Sequence, residues 1–315
     1  MNIDKQLLKV LQSSAWTKIP YELLLETSPE QIRIEENNLM KQEGALETPD
    51  AIQVFNKEIQ STDKKSLISL RIYKPKQIVN NLPMILFFHG GAFIFGSGDQ
   101  YDFQMYPLVQ ETNVIIVSVD YRLAPKYPFP AALEDSVNAL QYIYENAEAF
   151  GGNRNNISVM GSSAGGTIAL SLLHLNRDHD NIPITSGFFL YPPTCDELNT
   201  SSMQVYANAP MQSKKSARYM WKYYLSGNST KWMEYAVPNK MCNYKGLPPM
   251  VFVLAEYDPL IDEAKEYIKA IIANNGNVKV KQVQGAVHTF DFFECRLTDD
   301  FTKYKVEYFK KLHSL

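Results

Sequence analysis

Hydrophobic positions along this chain change period several times, and the changes divide it. Over residues 1–50, Ile3, Leu7, Leu8 and Leu11, and more loosely Ile32, Leu39 and Leu46, recur at helical spacing between Pro20, Pro29 and Pro49. Residues three and four apart share a helix face, so the spacing predicts short amphipathic helices lying on a larger body. At residue 52 the pattern becomes strand-like: residues 52–55 and 67–73 read as two strands joined by a polar turn at 61–65, an antiparallel hairpin at a sheet edge. Residues 84–88 and 114–119 are unbroken apolar runs, as parallel strands covered on both faces are. A helix is predicted between 129 and 150, with Pro130 near its first turn, Leu133, Val137, Leu140 and Tyr144 on one face, and Gly151-Gly152 as its stop.

Strands follow at 157–160, 187–191 and 250–255, the last leading into a helix that carries Leu260, Ala264, Tyr267, Ile268 and Ile271 and ends near Asn275-Gly276. Residues 278–283 alternate as an edge strand does, and a final helix spans roughly 299–312. Strand and helix in alternation predict an α/β fold with a mostly parallel sheet and helices on both faces. The interval between Tyr191 and Met250 breaks the rhythm. It opens with Pro192-Pro193, has no strand signal, and from 213 to 237 is helical and rich in aromatics (Tyr219, Trp221, Tyr223, Tyr224, Trp232, Tyr235). The expected organisation is a core of 51–195 and 247–315, with 1–50 and 196–246 as a helical cap over the sheet's carboxyl end. Most of those aromatics are expected to form the cap's own core.

Composition narrows the function classes. At 315 residues and 45% hydrophobic, the chain can bury one large core with a small appendage. The net charge of −3, a pI of about 6.0 and the lack of a basic stripe speak against nucleic-acid or anionic-membrane partners. Cys195, Cys242 and Cys295 lie far apart, which argues against a disulfide framework or zinc site and suits a reducing, cytoplasmic compartment. The first residues carry an early acid and no apolar run, unlike a secretory signal, and no apolar run approaches the ~20 residues of a membrane span.

The candidate chemistry centres on residues 157–166, Ile-Ser-Val-Met-Gly-Ser-Ser-Ala-Gly-Gly, which lead into a helical run at 167–173. Strand, tight turn and helix with Ser163 at the apex is the Gly-x-Ser-x-Gly nucleophile elbow. A serine forced onto a sharp turn needs small neighbours, and Gly161, Ala164, Gly165 and Gly166 supply them. A serine hydroxyl also needs a base, a group that orients the base, and donors for an oxyanion. In an open α/β sheet these belong at the carboxyl ends of strands. Of five histidines, His288 fits, just past the strand at 278–283. His89 opens a glycine loop, His174 ends the elbow helix, His179 lies in a charged loop and His313 is near the terminus. The same rule selects Asp258, after the strand at 250–255 and before Pro259. The glycine loop His89-Gly90-Gly91-Ala92-Phe93 follows an earlier strand, so Gly90, Gly91 and Ala164 are the expected oxyanion donors, with His89 bracing the loop. The order Ser163, Asp258, His288 is that of α/β-hydrolases. No His-Glu-x-x-His occurs, and Asp178-His179-Asp180 reads as a solvated loop, so metal hydrolysis is not expected.

With Asp120-Tyr121-Arg122-Leu123-Ala124-Pro125, the run 127–135, Asp258–Glu263 and His288-Thr289-Phe290 added, the chain resembles the hormone-sensitive-lipase-like family of α/β-hydrolase carboxylesterases over most of 70–295. That resemblance implies a Ser-His-Asp esterase with a helical cap, no metal or cofactor, short- to medium-chain acyl esters as substrates, and residues 120–125 as a structural loop. The chain departs from the family at three places: Ser162 replaces the usual Asp before the nucleophile, Ala92 the third loop glycine, and Ile261 a frequent Arg. An amide, peptide or lactone hydrolase would use the same triad. A non-catalytic receptor on this fold would dispense with the base, whereas His288 is present. A small-molecule ester partner and a possible homodimer complete the expectations.

Overall fold

The structure is a computed structural model and describes residues 1–77, 80–179 and 181–313. The chain runs α1 (Lys5–Ser13), α2 (Tyr21–Thr27), α3 (Gln31–Glu43), β1 (Ile52–Gln60), β2 (Leu67–Pro75), β3 (Leu82–Phe88), α4 (Asp102–Thr112), β4 (Ile115–Asp120), α5 (Ala131–Glu145) and α6 (Ala147–Phe150). It continues through β5 (Gly152–Ser162), α7 (Ala164–Asp178), β6 (Ser186–Leu190), α8 (Ser201–Val205), α9 (Lys214–Tyr224), β7 (Met250–Ala255), α10 (Ile261–Ala273), β8 (Val278–Val283) and α11 (Arg296–Leu312). The strands form one sheet in the order β1-β2-β4-β3-β5-β6-β7-β8. β2 pairs antiparallel with β1 and with β4, and every other neighbouring pair is parallel.

The unbroken apolar strands are explained by burial on both faces. Along β3, Met84, Leu86 and Phe88 enter the core shared with α5, α7 and α10, whereas Ile85 and Phe87 enter the core shared with α4, α11 and α1. Side chains alternate in direction along a strand, so a strand covered on both faces needs apolar residues at every position. β8, an edge strand, is largely exposed, and only Val283 in it is buried.

The structure corrects several element expectations. α4 departs from the expected pattern: Pro107 interrupts its sequence, and three of its buried side chains, Asp102, Gln104 and Thr112, are polar, which hides a helical stripe. Leu46 lies beyond the end of α3 and is exposed, while Leu7 and Leu11 bury beneath α1 as their spacing predicts. In the stretch from 213 to 237 only α9 is a regular helix, followed by single 3-10 turns at Met233–Tyr235 and Pro238–Lys240.

Hydrogen bonds and an ion pair tie the N-terminal arm to loops at the sheet's carboxyl end and to α9. Asp4 caps α1 with its carboxylate, and its own N–H donates to Gly285 O at 3.0 Å, in the loop that precedes His288. Glu26 on α2 accepts from Lys215 at 2.6 Å and Tyr219 at 2.9 Å on α9. Arg33 on α3 donates to Ile94 O at 2.6 Å and Ala124 O at 2.8 Å, two loops beside the site.

Candidate active site

The elbow is built by close approach. A Cβ on Gly161 would stand 2.3 Å from Gly165 O, and one on Gly165 would stand 2.1 Å from Phe88 O, so neither position admits a side chain. Between them Ser163 holds φ +50° and ψ −122°, a conformation that non-glycine residues rarely adopt. The turn is held by Ser163 N–H donating to Leu190 O at 2.9 Å and by Ser163 O accepting from Gly166 N–H at 2.8 Å.

Three loops bring the expected triad together. His288 Nε2 lies 2.8 Å from Ser163 Oγ, and His288 Nδ1 lies 2.6 Å from Asp258 Oδ2. The other carboxylate oxygen of Asp258 accepts from Leu260 N–H at 2.9 Å, which fixes its rotation. All three side chains are buried, Ser163 by 95% and the other two by more. The acid and base loops are stitched together by Tyr257 N–H to Ala286 O at 2.9 Å and by Gly285 N–H to Glu256 Oε2 at 2.6 Å. A neutral imidazole whose Nδ1–H faces a carboxylate presents its Nε2 lone pair to the serine, as a general base must.

The glycine loop follows β3 and lies against Ser163: a Cβ on Gly90 would stand 3.4 Å from Ser163 Cβ. Gly91, Ala92 and Phe93 have φ of +118°, +54° and +63°, which turn consecutive backbone amides in this loop. Gly90, expected as an oxyanion donor, instead gives its N–H to Tyr101 Oη at 2.7 Å. Among the described residues, none accepts from the N–H of Gly91, Ala92 or Ala164. His89 braces the loop as expected, its Nδ1 lying 2.6 Å from Gly90 O and its ring stacked 4.3 Å from that of Tyr121, whose hydroxyl donates to His89 O. Burial pulls the His89 pKa down to about 4, so the ring is neutral at pH 7.

Sequence reasoning missed three site residues, Tyr101, Tyr191 and Asp291. Tyr191 follows the end of β6, and Asp291 stands three residues after the base, so position alone could have raised both. Of the other histidines, His174 is buried with Nε2 2.7 Å from Tyr267 Oη, and His179 lies beside Tyr235. Asp178 pairs with Arg177 at 2.7 Å, and Asp180 lies outside the described residues.

Ser163, His288, Gly91 and Ala92 line a cavity of about 2300 Å³ that extends beneath the arm, past Leu11, Met40, Met211 and Phe292. None of the six aromatics named between 213 and 237 lines it. Trp221, Tyr224 and Tyr235 are buried in the core instead, and Tyr224 stacks on Phe93 with centroids 3.8 Å apart.

A model of a family described as having the alpha/beta hydrolase fold matches residues 85–292. The chain is 32% identical to esterase LipI of Mycobacterium tuberculosis over 91% of its length and 88% of that protein. It is 33% identical to carboxylesterase NlhH of the same organism over 71% of each chain. Among solved structures it is similar to a bacterial heroin esterase, with a TM-score of 0.88 and 25% identity over 99% of this chain and 98% of that one. With its carboxyl-end elbow, mostly parallel sheet and these relatives, the chain belongs to the hormone-sensitive-lipase-like esterase family of the alpha/beta hydrolase fold.

Proposed function

We propose that this protein is a carboxylesterase that cleaves short- to medium-chain acyl esters through a covalent acyl-enzyme. The observation that carries the reading is the hydrogen-bonded line from Asp258 through His288 to Ser163, buried at one end of a large cavity. In the first half, Ser163 Oγ attacks the ester carbonyl while His288 Nε2 takes its proton, and Asp258 steadies the imidazolium. The tetrahedral oxyanion is held by backbone amides, for which the free N–H groups of Gly91, Ala92 and Ala164 are the best candidates. Gly90 supports the loop and is not itself a donor, because Tyr101 already occupies its N–H. His288 then protonates the departing alkoxide. In the second half, water gives its proton to His288 and attacks the acyl-serine, and Ser163 is regenerated.

The cavity runs from Ser163 and His288 past Leu11, Met40, Met211 and Phe292, apolar side chains that support acyl chains longer than acetyl. Turnover of p-nitrophenyl acetyl, butyryl, hexanoyl and octanoyl esters tests the reading. Wild-type protein is expected to hydrolyse the series, and Ser163→Ala to lose at least about 10⁴-fold in kcat. Hydrolysis that survives Ser163→Ala contradicts the reading. Matched ester and anilide substrates separate it from the amidase alternative, with ester turnover expected to dominate.

A further inference from the structure

Ser162, the residue before the nucleophile, is enclosed, and its hydroxyl donates to Tyr191 Oη at 3.1 Å. Tyr191 in turn donates to Asp291 Oδ1. A phenol has one proton, so its bond to the carboxylate leaves only lone pairs for Ser162 and sets the direction of both bonds. On the far side of the carboxylate, Gln104 Nε2 donates to Oδ2 at 3.1 Å, and Lys305 Nζ donates to Gln104 Oε1 at 3.0 Å. These four side chains come from the loop after β6, the loop after the base, α4 and α11, and none is more than 7% exposed. Burial pulls Lys305 down to about 8, and the Asp291 carboxylate opposes that fall.

A buried carboxylate and ammonium bridged by an amide are a costly way to stabilise a fold, since well-packed apolar side chains in their place are often as stable. Their location points to another use. The Tyr191 ring meets the His288 ring edge-on with centroids 4.6 Å apart, so the phenol held by Asp291 also forms one wall of the base. Tyr101, whose hydroxyl holds the Gly90 amide, also neighbours Ser162. The elbow, one face of the base and the root of the glycine loop therefore converge on the hydroxyls around Ser162.

We propose that Asp291, acting through Tyr191, is a positioning residue for the reaction: it supplies the fixed acceptor that orients Ser162 beneath the nucleophile and the wall of His288, with Lys305 as its counter-charge through the Gln104 amide. The carboxylate that anchors the elbow thus comes from the loop of the base and not from the elbow itself. This rests on Ser163 being the nucleophile.

Steady-state kinetics of the full chain on p-nitrophenyl butyrate, with thermal unfolding as the check on folding, test the proposal. Asp291→Asn and Tyr191→Phe are each expected to lower kcat on the order of 10-fold with KM changed by no more than about twofold. Because they cut the same chain of bonds, the double variant should lose no more than the worse single one. Ser162→Asp alone brings two carboxylates to one phenol and should also lower kcat, by like-charge repulsion. In the Asp291→Asn background the same substitution restores a carboxylate to Tyr191 and should recover most of the wild-type kcat, an outcome that loss of mere structural support does not produce. Folded Asp291→Asn with wild-type kcat, multiplicative losses in the double variant, or no recovery by Ser162→Asp would each overturn the proposal. If Asp291→Asn does not fold, Tyr191→Phe decides: an impaired kcat at unchanged KM supports the proposal and a wild-type kcat overturns it. Wild-type protein without ester turnover would defeat the functional reading itself, which an active wild type with indifferent variants would not.

Discussion

Ser163 carries backbone strain of about 1–3 kcal/mol at its positive φ, and the surrounding structure holds it there. That strain lifts Oγ out of the turn and onto the imidazole. The five-residue motif made this legible, because only glycines fit at 161 and 165. The order of the chain made the acid and base legible, because each follows a strand in the parallel part of the sheet. The free amides of the glycine loop were not legible in the sequence. Which amides are free depends on Tyr101, which lies eleven residues beyond Gly90 and reaches back across the loop. Tyr101→Phe therefore leaves the Gly90 N–H without its acceptor. The expected result is a loss of about 1–3 kcal/mol in unfolding free energy, measured by urea titration, together with a reduced kcat. If Gly90 were itself an oxyanion donor, freeing its N–H would maintain or raise kcat.

Elements are joined around the site by a few buried charges. Arg122, in the loop after β4, pairs with Asp135 on α5 at 2.9 Å, with Glu134 at 3.2 Å and with Asp63 in the β1–β2 turn at 2.8 Å. Its backbone N–H also donates to Asp135, whose side chain is fully buried. Arg122→Ala would leave the Asp135 carboxylate buried without its cation, and a loss of about 3–5 kcal/mol is expected, read as a fall in unfolding midpoint. Arg122→Lys should recover only part of it, because an ammonium cannot reproduce the guanidinium fork. At this scale the sequence was readable where burial is uniform and opaque where buried residues are polar. The parallel strands announced themselves as apolar runs. α4 did not, because Asp102 faces Arg71 and Gln104 faces Asp291 in its buried surface, and Pro107 interrupts it. The arm and the 196–246 segment were legible as helices, but their partners on the sheet were not, since single contacts such as Arg33 to Ile94 O leave no periodic trace.

The molecule buries imidazoles near both ends of the elbow helix, and these contribute a term of definite sign to the pH dependence of its stability. Burial pulls His89 down to about 4 and His174 to about 3, against about 6.5 in an unfolded chain. Below pH 6.5 the unfolded chain takes up protons that the native state refuses, so stability falls as pH drops from 6.5 towards 4 and gains nothing from these groups above 6.5. Each imidazole contributes a slope of up to about 1.4 kcal/mol per pH unit within that window. Urea titrations at pH 7, 6 and 5 should show His174→Gln losing less stability over that range than the wild type; an unchanged difference would exclude His174 from the effect. The central claim is also a whole-molecule one: residues 163, 258 and 288 meet only because three strand ends converge beneath one cavity. A fluorophosphonate probe tests it directly, since it bonds only to a serine activated by such a base. Intact-mass and peptide analysis should find one adduct per wild-type chain, on Ser163, and none on Ser163→Ala. A wild-type chain that stays unlabelled, or an adduct that persists on Ser163→Ala, would contradict the account.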